Sequence, residues 1–343
     1  MEERRRLAEA VKRGNTQDAI DLIETSIDGS GLAWDAVREA IFTERLDIFD
    51  AVLPFLVSVN SAYPLVYAAR KGMAHAVAKL IPLCNPLDEE SLALSEAARL
   101  GHAEVVRLLL PVSDPLADES AALLGAARAG HTEIVTMLIP VSDPKDRESG
   151  ALVAAASRGH VKVIKALLPV SSSIICATKV VPSVCDNGFT SIVRRLLKAK
   201  LPDPSETYTS GLNAAAAKGH VEIVELLLPA VERAGRPRRF GHTAIVGAAG
   251  AGHERVVERL AALVDKEACT HALVAALEAG HAQCAAELTR HADLDRAGQW
   301  VKGAGARTML GALMAKLKAD VEREAIAVST PTVVKGDLPL TRL

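Results

Sequence analysis

The sequence predicts an all-α protein built as a helical repeat solenoid, elongated and curved, and three observations carry that reading. A ten-residue phrase recurs: A-A-R-L-G-H-A-E-V-V at 97–106 returns as A-A-R-A-G-H-T-E-I-V at 126–135 and as A-A-S-R-G-H-V-K-V-I at 155–164. Glycines mark the same beat. Gly72, Gly101, Gly130, Gly159 and Gly188 recur at a constant spacing of 29, and Gly219, Gly252 and Gly280 follow at spacings of 31, 33 and 28. The chain is 49% hydrophobic but only 3% aromatic, so its core must be packed from Leu, Val, Ile and Ala. Small buried residues suit closely packed helices better than a sandwich or barrel. One unit of this size cannot bury its apolar faces alone, whereas a stack of them can.

Each unit reads as two short helices. Ser91 is placed as the N-cap of the first, and Ser120, Ser149, Thr178, Thr209 and Thr270 hold the same slot ten residues before their glycines. Leu94, Ala97 and Ala98 form an i, i+3, i+4 apolar stripe. Gly101 ends the helix by entering the left-handed conformation without a Cβ clash. Val105, Val106, Leu108, Leu109 and Leu110 form the second helix, and Pro111 is expected to stop it. The loop Val112-Ser113-Asp114-Pro115 follows, repeated as Val141-Ser142-Asp143-Pro144. Gly14 opens a similar unit and a degenerate one centres near Thr43-Glu44, so that ten units reach to about residue 295. Beyond this array (1–295) the sequence predicts a capping helix over 296–328, with the stripe Leu310, Leu313, Met314, Leu317 and Val321, and a mobile tail over 329–343. Dimerisation through that helix is the alternative to a monomer.

Forty Lys and Arg against 42 Asp and Glu give a net charge of −2, which argues against a chain built as a whole to coat nucleic acid or acidic lipid. Cys84, Cys176, Cys185, Cys269 and Cys284 contain no C-x-x-C pair, so neither a disulfide framework nor a thiolate zinc site is expected. A reducing, cytoplasmic setting fits, with no apolar signal region visible at the start; delivery to a host cell stays open. The uncharged stretch 51–69 imitates a membrane span, but Pro54, Asn60 and Pro64 break it, and it reads as a buried junction across two helices.

The phrase A-A-x-x-G-H-x-x-V-V-x-x-L, matched at Ala97 to Leu109, Ala126 to Leu138, Ala155 to Leu167 and Ala215 to Leu227, resembles the core of the ankyrin repeat. The resemblance covers roughly residues 1 to 295. It departs from the family in its opening: T-P-L-H is nearly absent, with Tyr63-Pro64-Leu65 and Thr243-Ala244-Ile245 the closest approaches. Units of 29 residues are also about four shorter than the family's 33, which implies loss of the β-hairpin finger. The resemblance further implies protein binding on a concave face lined by the first helices.

His102, His131, His160, His220, His253 and His281 recur one per unit, about a repeat width apart, too far to share an ion with bonds of about 2 Å. They read as structural, bonding the inter-helix turn, and no metal or cofactor is expected. No nucleophile elbow, zinc helix or phosphate-binding loop is present, so the chain is read as non-enzymatic. What remains is surface. The last turns of the first helices carry a basic column, Lys12, Arg13, Arg70, Lys71, Arg99, Arg128, Arg158 and Lys218, with Tyr67, Glu96, Leu100, Leu124, Val153 and Asn213 nearby. Cations there complement the helix dipole; the functional reading is a ridge for an acidic peptide or another protein. Acidic residues in the loops (Asp88, Glu89, Glu90, Asp114, Asp118, Glu119, Asp143, Asp146, Glu148) are read as complements to the helix N-termini. Ser171 to Ser173, Pro182 and Cys185 interrupt one unit, as a bend or a decayed repeat. Arg233, Arg236, Arg238, Arg239 and Phe240 form a secondary candidate loop, otherwise a solvated insertion. The leading reading is a scaffold or adaptor. Its alternatives are an effector or inhibitor occluding another protein, and a nucleic-acid regulator using that loop.

Overall fold

The computed structural model describes residues 2–57, 63–198, 203–234 and 241–329. All of the regular secondary structure among them is helical. The chain divides into two compact units, residues 1–184 with 198–202 and residues 185–197 with 203–343, each a helical-repeat stack. Of the expected tail over 329–343, Ser329 instead closes the last helix and 330–343 lie outside the described residues, as do 58–62 within the apolar stretch. The rest of that stretch falls on the helices Leu46–Val52 and Tyr63–Arg70, with a 3-10 turn Leu53–Phe55 between. Among the described residues no helix is long and apolar enough to cross a membrane.

In the first unit the regular repeats are the helix pairs Asp88–Leu100 with Ala103–Leu109, Ala117–Ala129 with Thr132–Leu138, and Asp146–Ser157 with Val161–Leu167. The Ala pair and the branched apolar triplet of each phrase (Ala97, Ala98, Val105, Val106 and Leu109 in one) are buried. Methyl-sized side chains let neighbouring first helices approach closely, and the branched ones fill the space beneath. Gly101 caps its helix at φ 89°, donating to Ala97 O. The degenerate unit keeps the same turn without the glycine: Glu44 stands there at φ 58°.

The N-cap expectation for the serines is overturned. Glu89, Glu90 and Ser91 all have positive φ, as do Asp118, Glu119 and Ser120, and Arg147, Glu148 and Ser149. Each triplet is a single left-handed turn, which costs roughly 1–2 kcal/mol per residue that carries a Cβ. This conformation turns the buried hydroxyl away from its own helix and towards the next repeat. Ser91 Oγ accepts from Asp114 N (2.9 Å), Ser120 Oγ from Asp143 N (3.0 Å) and Ser149 Oγ from Ser172 N (3.0 Å). Thr270 repeats the contact in the second unit, accepting from Asp293 N at 2.9 Å. Thr178 and Thr209 instead donate to carbonyls one turn back in their own helices. The acidic loop residues follow the same logic. Asp114 and Asp143 close Asx turns on Leu116 N and Lys145 N, and Asp146 accepts from Ser120 Oγ at 2.6 Å.

Pro182 neither ends nor shortens the helical run in the interrupted repeat. The run continues through Ser173–Ile175, a π turn Cys176–Val180 and Val181–Asp186. Val181 N donates five residues back, to Cys176 O. The wider turn accommodates a proline that has no N–H and whose ring would crowd the preceding turn. Cys176, Ala177, Val180, Val181, Val184 and Cys185 keep the inner face of the run buried.

The second unit contains Pro204–Ala217 with Val221–Ala234, His242–Ala251 with Glu254–Ala261, and Lys266–Ala279 with Ala282–Leu288, followed by Leu294–Trp300 and Ala304–Ser329. Pro229 departs from the Pro111 pattern by lying inside a helix that runs on to Ala234. Burial of Ala230 and Val231 favours continuing through the lost hydrogen bond. In Ala304–Ser329, Ala306 and Leu310 are buried, but Met314 is 38% exposed and does not join the expected apolar stripe.

Candidate interaction surface

The first helices bury their Ala pairs, so the residues between and after those pairs face outward. Two groups of side chains assemble there in the first unit. One centres on Glu96, whose side chain is only 19% exposed. Arg99 meets it as a fork, Nε to Oε1 at 3.2 Å and Nη2 to Oε2 at 2.8 Å, while Arg70 of the preceding repeat approaches Oε2 at 3.2 Å. The Arg99 hydrogen bond, then the charges of Arg99 and Arg70, hold the Glu96 carboxyl below its ordinary range against the opposing effect of burial. Two members of the basic column are therefore neutralised inside the protein. Lys71 is engaged too, with Glu44 at 3.2 Å and the Phe42 ring at 5.6 Å.

The other group lines an open groove of about 470 Å³. Leu124, Arg128, Val153 and Arg158, all singled out from sequence, share it with Arg147, Glu148, Ser157 and Lys179. Glu148 is paired with Lys179. Arg147 turns away to Asp118 (2.5 Å) and Glu119 (3.2 Å). Arg128 and Arg158 are exposed, and their side chains hold no ion pair among the described residues. The sequence reading missed Arg147 and Lys179. The signal was the repeat register, which places Arg147 where the preceding repeat has Asp118.

The remaining candidates are placed singly. Tyr67 and Leu100 are exposed on the first unit's helices Tyr63–Arg70 and Asp88–Leu100. Asn213 and Lys218 belong to the second unit; Lys218 is exposed at the end of Pro204–Ala217, and Asn213 Oδ1 is buried without a partner among the described residues. Arg233 donates to Pro229 O in its own helix at 3.2 Å, while Arg236, Arg238, Arg239 and Phe240 lie outside the described residues. One feature of the second unit escaped the sequence reading. His242 and His271 of successive repeats and Trp300 of the helix Leu294–Trp300 form a row of rings, His242 tilted against His271 with centroids 5.0 Å apart and His271 stacked on Trp300 at 4.7 Å.

The imidazoles of five recurrent histidines bond the inter-helix turn of the preceding repeat rather than their own. Nε2 of His102, His131 and His160 donates to Arg70 O (3.0 Å), Arg99 O (3.2 Å) and Arg128 O (3.1 Å) of the preceding repeat. His220 and His253 do the same to Asp186 O (2.9 Å) and Ala217 O (3.2 Å) within the second unit. Each imidazole thereby satisfies a carbonyl orphaned at a helix end. Among the described residues no group of three or more His, Cys, Asp or Glu is placed to hold a metal ion. Burial raises all five cysteine thiols, Cys185 to about 12 and Cys176 to about 11, which suppresses the reactive thiolate.

Residues 183–268 and 212–297 match the family model for ankyrin repeats, about a third of the chain. The human ASB11 ankyrin repeat domain is a similar solved structure, at 22% identity and a TM-score of 0.48, covering 57% of this chain and 97% of that one. No curated protein matches.

Proposed function

We propose that this ankyrin-repeat protein is a non-enzymatic binding module that holds a partner protein on the exposed face of its first helices, as a scaffold or adaptor. As a class, ankyrin repeats mediate protein–protein interaction. The observation that carries the reading here is the groove of Leu124, Val153, Arg128 and Arg158, where apolar contact area adjoins cations without internal partners. Such a mixture suits a polypeptide, whose side chains supply both kinds of contact. The same face one repeat earlier is closed by Glu96, so the first unit distinguishes a neutralised stretch from an available one.

The test is affinity capture from the native cell with the full chain and with an Arg128→Glu, Arg158→Glu variant. The expected outcome is a specific partner retained by the first and lost by the second, with circular dichroism spectra and melting curves that superimpose. Retention of the same partner by the variant refutes the assignment of this face.

A further inference from the structure

The repeat register explains why the Arg128 side chain holds no ion pair among the described residues. Arg99 and Arg128 occupy equivalent positions in successive repeats, and Arg99 is held by Glu96 of its own helix. The equivalent of Glu96 beside Arg128 is Gly125. A second source of charge is also missing. Glu96 reaches back to Arg70 of the preceding repeat, and the position at the same offset beyond Arg128 is Ala154. The placement holds in space: a Cβ at Gly125 would stand 3.2 Å from Arg99 Cβ, so this slot abuts the arginine of the preceding repeat. Both routes by which the protein neutralises an arginine on this face are thus removed at Arg128. The two deletions border the groove, whose lining contains four cations and the single carboxylate of Glu148, already bound to Lys179.

We propose that the groove binds an acidic, extended peptide segment of the partner, with an Asp or Glu carboxylate seated on the Arg128 guanidinium in place of the missing glutamate and an aliphatic side chain against Leu124 and Val153. This rests on the binding-module reading above and names the chemistry of its partner. The protein supplies its own precedent, since the Arg99 fork on Glu96 is the geometry by which a guanidinium holds a carboxylate through two parallel hydrogen bonds. Gly150, Ala154 and Ser157 keep the floor low enough for a peptide backbone to lie along it.

The experiment measures fluorescence anisotropy of two labelled octapeptides, one alternating Glu and Leu and the other alternating Gln and Leu, titrated with the full chain. Saturable binding of the Glu peptide is expected, weakened as salt rises, with the Gln peptide about tenfold weaker or worse. Ala154→Glu restores the missing internal carboxylate and is expected to weaken the Glu peptide by about tenfold. Ala154→Gln, of equal size and without charge, is expected to bind as the unsubstituted chain does. Equal binding of both peptides overturns the carboxylate assignment while leaving a protein-binding face. No saturable binding of the Glu peptide, or equal loss in both Ala154 variants, also overturns it, whatever the partner-capture experiment shows.

Discussion

His131 lies across Gly101: a Cβ on that glycine would stand 2.6 Å from the imidazole Cε1, while Nε2 of the ring reaches Arg99 O at 3.2 Å. The glycine is therefore fixed twice, by its left-handed φ of 89° and by the ring of the following repeat. Gly72, Gly130, Gly188, Gly219 and Gly252 are covered in the same way, whereas Gly280 at φ 82° has nothing within 4 Å of its notional Cβ. The pair of sites separates the two constraints. Gly280→Ala should cost about 1 kcal/mol for the backbone alone. Gly101→Ala should cost about 2 kcal/mol, because the His131 contact is lost as well. Urea unfolding of both variants checks the difference, and equal losses would remove the role assigned to the imidazole.

Ser120 presents a second seam. Its buried hydroxyl accepts from Asp143 N and donates to Asp146, joining one repeat to the next. Ser120→Ala strands a backbone N–H and should destabilise the chain by about 1–3 kcal/mol. An N-cap role would instead predict increased hydrogen exchange at the start of Ser120's own helix. Exchange concentrated at Asp143 identifies the inter-repeat bond.

Glu90 sits in a left-handed turn at φ 54° with its side chain exposed. Glu90→Gly relieves roughly 1–2 kcal/mol of backbone strain and adds about 0.5–1 kcal/mol of chain entropy to the unfolded state. A net gain of about 0.5–1 kcal/mol is expected, seen as a higher denaturation midpoint. A lower midpoint would mean that the glutamate makes a contribution beyond its backbone conformation.

Glu96 gives the stack an acid sensitivity of known sign. Its carboxyl is held below the ordinary value of 4.5, so its contribution is fully present above that pH and is lost as pH falls through the depressed folded value. Because Arg70 and Arg99 are about half exposed, solvent screens the pair and the effect should stay under about 1 kcal/mol. Glu96→Gln should be less stable at pH 7 and should converge with the unsubstituted chain in acid. A constant difference across the range would show that size or packing at this position dominates.

The helix pairs and their turns were legible because they depend on residues a few positions apart: an Ala pair, a glycine and a Val, Val, Leu triplet. The seams were not. Ser91 in sequence looks like a cap because Ser before an apolar run usually is one, and only three successive left-handed residues redirect its hydroxyl to Asp114. Pro229 has the neighbours of Pro111 yet stays within a helix, since burial of Ala230 and Val231 comes from tertiary packing. At the candidate surface, sequence found Arg128 and Arg158 but ranked Arg70 and Arg99 with them. Their difference lies in whether a glutamate occupies one slot of the register, which the same sequence contains and which geometry makes meaningful.

The bonds between repeats described above span 23 residues from serine to loop and 32 to 36 from histidine to helix end. Each of these seams is thus closed by a few polar contacts between neighbouring repeats, and none of the bonds named ties together repeats distant from each other. Under a stretching force along the chain such a stack should surrender one repeat at a time, in steps of roughly equal contour length. A tether of this kind would lengthen under load in graded increments and shorten again when the load is removed.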